Sequence, residues 1–168
     1  MLLIETGANR HIEVGVQFEE LHDIMAAVAK LVSAQQLERL GFCLDTAHVF
    51  NAGYDLRTPE MLRRVIELFN ELMGGRLRMI HFNGSPYTLG DNKPDKHEKV
   101  TAGNNFSIES VAELLEIARK LNIPLILETP DLSDDQVLRR EELRQILNIE
   151  SLAEKTKTRF CYGKILQT

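Results

Sequence analysis

Four apolar stretches of the sequence each stop on a side chain that can ligate a metal. They are Leu2-Leu3-Ile4-Glu5, Phe42-Cys43-Leu44-Asp45, Leu77-Arg78-Met79-Ile80-His81 and Leu125-Ile126-Leu127-Glu128. Each reads as a short buried strand, and a helical pattern follows each one. In a parallel α/β barrel the carboxyl ends of the strands converge on one face, so residues that end different strands meet there. Glu5, Asp45, His81 and Glu128 would then point at a common spot. Three carboxylates crowded together repel one another unless a cation neutralises them. Metal-dependent hydrolysis or isomerisation is the chemistry this pattern predicts first.

Three further residues fit the same idea. His48 lies three positions after Asp45, on the turn leaving the strand, so both can reach one end of the sheet. Taken alone, Asp45 capping a helix and His48 facing solvent explains this spacing equally well. Asp95 and His97 are two apart in a polar loop, where an extended backbone projects both to the same side. An aspartate and a neutral imidazole suit zinc, with manganese and iron as alternatives. An Asp-Lys-His loop by itself is more often a solvated turn. The set as a whole shifts the balance, because three of the five histidines, His48, His81 and His97, fall at these positions. Glu5 and Glu128 would be costly at the ends of apolar strands unless paired or metal-bound.

The elements that must position these groups alternate along the chain. A Gly/Asn loop from Thr6 to Gly15 precedes a helix whose apolar residues Phe18, Leu21, Ile24, Met25, Val28, Leu31 and Val32 recur at helical spacing. After Asp45, a helix is expected to start near Thr58-Pro59-Glu60 and to stop at Gly74-Gly75. The longest loop, Asn83 to Phe106, is of the length that is usually functional or disordered. Ser107 is expected to cap a helix reaching about Leu121, and Ser133-Asp134-Asp135-Gln136 has capping-box spacing for a last helix to about Leu147. The order β-α-β-α-β-α-β-α predicts an α/β fold with parallel strands and right-handed crossovers. Residues 1–148 are read as a partial barrel of four β/α units and 149–168 as a tail with no assigned role.

Composition sets outer limits. The chain has 168 residues, 43% of them apolar, and a formal charge of −5, which fits one globular domain. No apolar run approaches the roughly 20 residues of a membrane helix, and the start lacks the pattern of a secretory signal. Cys43 and Cys161 offer neither CxxC spacing nor a disulfide framework, so a reducing, cytoplasmic or nuclear compartment is expected. Mild acidity does not suggest nucleic-acid binding, but ligand carboxylates inflate the negative count and bound metal would offset them.

Five segments together resemble the endonuclease IV family of apurinic/apyrimidinic endonucleases, which belongs to the xylose-isomerase-like TIM barrels. They are Leu2 to Gly7, Gly41 to Leu56, Ile80 to Ser85, Leu89 to Glu98 and Pro124 to Pro130, in family order. The stretch from Asp45 to Asp55, DTAHVFNAGYD, is the most specific of them. The resemblance implies a trinuclear metal site, usually zinc, that hydrolyses the phosphodiester 5′ to an abasic site in duplex DNA and leaves a 3′-hydroxyl. It implies that Glu5, Asp45, His81 and Glu128 ligate one metal, with Glu5 bridging to a second. His48, Asp95 and His97 would ligate the third. Glu128 resembles the family carboxylate near the attacking water, which gives it and Glu5 a catalytic as well as a ligand role.

The departures from the family pattern are instructive. A complete eight-stranded barrel takes about 250 residues, so four strands make half of one. The strands that would precede Glu5, and the two histidines they carry in the family, have no counterpart here. The family's Asn-Asp-Ser turn is Asn83-Gly84-Ser85, its Asp-Arg-His is Asp95-Lys96-His97, and the stretch Val100 to Asn105 is altered. His11 is read as a loop residue that could otherwise substitute as a ligand. The chain is therefore expected to be the carboxyl-terminal half of a nuclease barrel, marginal by itself, pairing with an amino-terminal half or with its own copy. Two other readings stay open: a single-metal sugar isomerase or epimerase of the same barrel class, and a non-catalytic remnant.

Overall fold

A computed structural model of the chain describes residues 1–8, 13–130 and 140–153. The chain divides into two compact units, Met1–Pro130 and Asp131–Thr168. In the first, strands β1 (Leu2–Glu5), β2 (Leu40–Asp45), β3 (Leu77–His81) and β4 (Leu125–Ile126) form one sheet in the order β1-β2-β3-β4. Every neighbouring pair is parallel. The register sets Glu5 beside Cys43 and Asp45 beside His81, so the ligand-type residues share one end of the sheet.

Helices α1 (Phe18–Ala29), α2 (Ala34–Leu37), α3 (Thr46–Asn51), α4 (Pro59–Leu72) and α5 (Ile108–Leu121) fill the connections. Their ends follow local chemistry. Glu20 caps α1 by accepting from the backbone N–H groups of Gly15, Val16 and Gln17 at 3.0–3.1 Å. Thr58 caps α4, with Pro59 in the first turn, and Gly74 and Gly75 end it at φ of 59° and 70°, where glycine meets no steric penalty. Ser107 caps α5, and Asn122 closes it in the left-handed conformation.

The core lies between sheet and helices. Phe42 of β2 meets Phe69 of α4 edge-on, Phe69 meets Phe18 of α1, and Phe18 stacks on Tyr54 with centroids 3.8 Å apart. Leu44 and Ile80 point to the same helix-covered side and are fully buried. The opposite face carries Leu3, Gly41, Cys43 and Met79 and is crowned by Glu5, Asp45 and His81. Alternation thus sends apolar residues to the helices and brings the polar ones up at the rim.

Three expectations are corrected. The apolar pattern read as continuing to Val32 stops at Ala29, where a turn leads into the Ser33-capped α2. The connection after Asp45 is not a plain turn: Thr46–Asn51 is a helix that directly abuts the strand. The fourth strand ends at Ile126, two residues before Glu128, and beyond the ladder the Glu128 N–H donates to Asn83 Oδ1. In the second unit residues 140–153 are helical, so regular structure runs beyond Leu147. Ser133, His11 and Cys161 lie outside the described residues.

Candidate metal centre

The cluster members are delivered by six stretches of backbone, with Asp95 and His97 sharing one loop. Glu5 closes β1, Asp45 closes β2, His81 closes β3, and Glu128 follows β4. His48 rides on α3, while Asp95 and His97 come from the loop between β3 and α5. All seven side chains meet at the carboxyl ends of the strands.

Around His81 the arrangement is dense. Its Nδ1 lies 2.7 Å from Glu5 Oε1, 3.0 Å from Glu128 Oε2 and 3.8 Å from Asp45 Oδ2. One ring N–H cannot serve three carboxylates, so this nitrogen and these oxygens are arranged around a point rather than along a single bond. Their ligand atoms lie within 4.8 Å of one another.

A second group adjoins it. Asp95 Oδ1 lies 3.1 Å from His48 Nε2 and 3.2 Å from His97 Nε2, and the two ring nitrogens are 3.4 Å apart. His48 Nδ1 donates to the Thr6 carbonyl at 2.8 Å, which leaves Nε2 as the lone-pair nitrogen facing the cluster. His97 Nδ1 lies 3.4 Å from the Glu128 carbonyl. Asp45, fully buried, stands between the groups: its Oδ2 is 3.5 Å from His97 Nε2 and 4.0 Å from His48 Nε2.

The donor set fits divalent metal. Imidazole nitrogens and carboxylate oxygens are zinc's usual ligands, and several aim lone pairs at shared points. Among the described residues no arginine or lysine pairs with these carboxylates, whose ion-pair partners there are His48, His81 and His97. Burial pulls the His48 pKa down, but the Asp45 carboxylate, the Thr6 carbonyl, Asp95 and Glu5 together raise it above its usual value. Beside Glu5, Gly7, Ala8, Glu13, His48 and Asp95 a cavity of about 350 Å³ opens, wide enough for small polar groups.

Sequence reasoning missed the residues that orient these ligands. Thr6 Oγ1 accepts from the Asp45 backbone N–H at 2.9 Å while the Thr6 carbonyl fixes His48. Asn83, fully buried, donates to Asp45 Oδ2 at 2.7 Å and accepts from the Glu128 N–H at 2.8 Å. Cys43 forms a further group with Glu5 and His81, but burial, and then the Glu5 charge, push its thiol up to about 12. A signal existed for two of these: Asn83 lies two residues beyond His81 and Cys43 two before Asp45, so both share the ligand face.

A parallel β/α sheet with a histidine–carboxylate cluster at its carboxyl rim is the architecture of a β/α-barrel wall carrying a candidate metal site. The model of the xylose isomerase-like TIM barrels matches residues 1–154, and the chain belongs to that family. It is 34% identical over 160 residues to the probable endonuclease 4 of Geobacter sulfurreducens, covering 94% of this chain and 51% of that one. It is 30% identical over 147 residues to apurinic-apyrimidinic endonuclease 1 of Plasmodium berghei, covering 87% of this chain and 27% of the relative. The crystal structure of endonuclease IV from Thermus thermophilus superposes with a TM-score of 0.66 at 28% identity, over 87% of this chain and 49% of that one. The chain thus spans about half the length, or less, of these relatives.

Proposed function

We propose that this chain is the metal-binding half of a DNA-repair endonuclease that hydrolyses the phosphodiester 5′ to abasic sites, with zinc as its resident metal. One observation carries the reading: all seven ligand-type side chains come within 4.0 Å of at least one other. The names of the relatives, endonuclease 4 and apurinic-apyrimidinic endonuclease, support the substrate. Glu5, Asp45, His81 and Glu128 would hold one zinc, with Glu5 reaching toward a second, and His48, Asp95 and His97 would hold another. When bound, the metal would polarise a phosphate oxygen and lower the pKa of water toward about 7.

The protein's own groups set the geometry. Asp45 and His81 are held rigidly at adjacent strand ends, so they act as ligands and not as movable acids. Glu128 and Glu5 are the more exposed carboxylates, and each has an oxygen that can turn toward an incoming phosphate or accept a proton from the attacking water. A sugar isomerase or epimerase needs one metal and would use Glu5, Asp45, His81 and Glu128 alone. The adjoining His48–Asp95–His97 group favours the nuclease.

The partner of this half would be the remaining β/α units of the fold, supplied by an amino-terminal segment or by a second copy of the chain. A compartment holding DNA and zinc, cytoplasmic or nuclear, suits this role. Among the described residues no helix is long and apolar enough to cross a membrane. The test is nicking of a labelled duplex carrying a tetrahydrofuran abasic analogue, by the chain alone and mixed with a complementary half. Cleavage 5′ to the analogue, dependent on zinc and abolished by His81→Ala, is the expected result. Undiminished cleavage by that variant, or no zinc in the purified protein, would refute the proposal.

A further inference from the structure

We infer that Asn83 is a positioning residue, one carboxamide that locks the carboxylates of Asp45 and Glu128 into the cluster; this rests on the metal-site reading above. Strand β4 stops pairing at Ile126, where the Ile126 carbonyl accepts from the Phe82 N–H at 2.7 Å. Glu128 is therefore outside the backbone ladder. Asn83 Oδ1 takes the place of a ladder carbonyl and accepts from the Glu128 N–H at 2.8 Å.

That bond fixes which way the amide points. With Oδ1 committed to an N–H, Nδ2 must face the carboxylates, where it donates to Asp45 Oδ2 at 2.7 Å and lies 3.4 Å from Glu128 Oε2. Both of its hydrogens have acceptors. The rest of Asn83 is equally constrained. Its N–H donates to Thr46 Oγ1 at 2.9 Å, and its carbonyl accepts from Thr46 Oγ1 at 2.7 Å and Asn105 Nδ2 at 3.0 Å. Asn105 in turn accepts from the Ser85 N–H at 2.9 Å. Asn83 cannot rotate without breaking several buried bonds, so its orientation is preorganised.

The consequence is a division of labour. Asn83 supplies two N–H donors to like-charged carboxylates that would otherwise splay apart, and it holds the backbone that places Glu128 beside His81. Outer-shell groups of this kind, when removed, lower metal affinity about 10- to 100-fold.

Two variants separate the arms. Asn83→Ala removes both; Asn83→Asp keeps an acceptor for the Glu128 N–H and loses the donors. Amide hydrogen exchange on the metal-free chain reads the first arm: Glu128 should lose protection in Asn83→Ala and keep it in Asn83→Asp, with β1–β3 amides unchanged. Cobalt(II) titration, followed by its visible d–d bands, reads the second: Asn83→Ala should bind about 10- to 100-fold more weakly with altered bands. A folded Asn83→Ala chain with unchanged Glu128 protection overturns the inference. So does lost protection with cobalt affinity and bands like those of the unsubstituted chain. If the unsubstituted chain binds no cobalt while Glu128 protection still follows Asn83, the metal-site reading fails and the positioning of Glu128 stands.

Discussion

Asp45 caps the helix that carries His48 and faces the same histidine across the cluster. Its Oδ1 accepts from the His48 backbone N–H at 3.0 Å and from Ala47 at 2.7 Å, while its Oδ2 lies 4.0 Å from His48 Nε2. The structural and the chemical readings of Asp45-Thr46-Ala47-His48 are thus served by different oxygens of one carboxylate. The helix cap fixes the rotamer that the cluster needs.

Two substitutions at Asp45 should therefore dissociate stability from metal binding. Asn is an N-cap as good as Asp, so Asp45→Asn keeps the helix start but sets its NH₂ against that of Asn83, costing about 1 kcal/mol for one hydrogen bond. Asp45→Ala loses the cap as well, about 1 kcal/mol more. Both should lose zinc. Urea melts of metal-free protein and zinc per chain measure the two effects. Equal metal-free stability of the two variants, or full zinc retention by either, would contradict the dual role.

The metal-free chain should become less stable as pH rises past the ordinary histidine range. Burial lowers the His48 pKa, but Asp45, the Thr6 carbonyl, Asp95 and Glu5 outweigh it, so the folded value lies above the unfolded one. Protonated His48 thus contributes stability that is fully present below about pH 6.5 and fades as pH climbs through the folded value. Zinc requires the neutral ring, so saturating zinc should flatten or reverse the trend. Urea midpoints against pH, with chelator and with zinc, test this; a His48→Asn chain should lose the contribution of this residue.

Much of this architecture was legible in the sequence because period and punctuation agree. Pro59 after Thr58, Gly74-Gly75 and Ser107 mark helix ends by chemistry that acts within a few residues. The ends of the first three strands, at Glu5, Asp45 and His81, were readable because an apolar run broken by an ionisable residue is costly in any other setting. The arrangement of Asn83, Thr46 and Asn105 was not legible. Their hydrogen bonds join positions far apart in the chain, and nothing in a polar loop residue announces which distant amide it meets. Helix α3 was missed because its buried Ala47, Val49 and Phe50 cover too few residues for a helical period to emerge. The fourth apolar run was read as a strand reaching Glu128, whereas the ladder stops at Ile126 and a side chain, Asn83, takes the Glu128 N–H instead.

Cys43 should be chemically silent in the folded chain. Its thiol is buried, and burial followed by the Glu5 charge pushes its pKa up to about 12, far above the range in which a thiolate forms near neutrality. Iodoacetamide at pH 8, with the products read by peptide mass spectrometry, should leave Cys43 unmodified in native protein and modify it in guanidinium. Rapid native alkylation would show that the β2 floor beneath Glu5 and His81 opens.

Gly84 should be intolerant of any side chain, and the damage should travel to Asp95 and His97. It pairs with Glu98 in an antiparallel bridge, with backbone bonds of 2.9 and 2.8 Å. A Cβ at Gly84 would overlap the Lys99 carbonyl, which is backbone and cannot swing aside, and a Cβ at Gly103 would in turn overlap the Gly84 Cα. This bridge pins the long loop immediately after His97, so its loss would free the segment that brings Asp95 and His97 to His48. Gly84→Ala is expected to cost about 1–3 kcal/mol, the range for forced overpacking. It should weaken metal binding by the His48–Asp95–His97 group more than by the group around His81. Zinc titration of Gly84→Ala beside His97→Ala measures that ordering. If Gly84→Ala is as stable as the unsubstituted chain and binds zinc equally well, the bridge does not position the loop, and the ligands it carries are held by their own contacts alone.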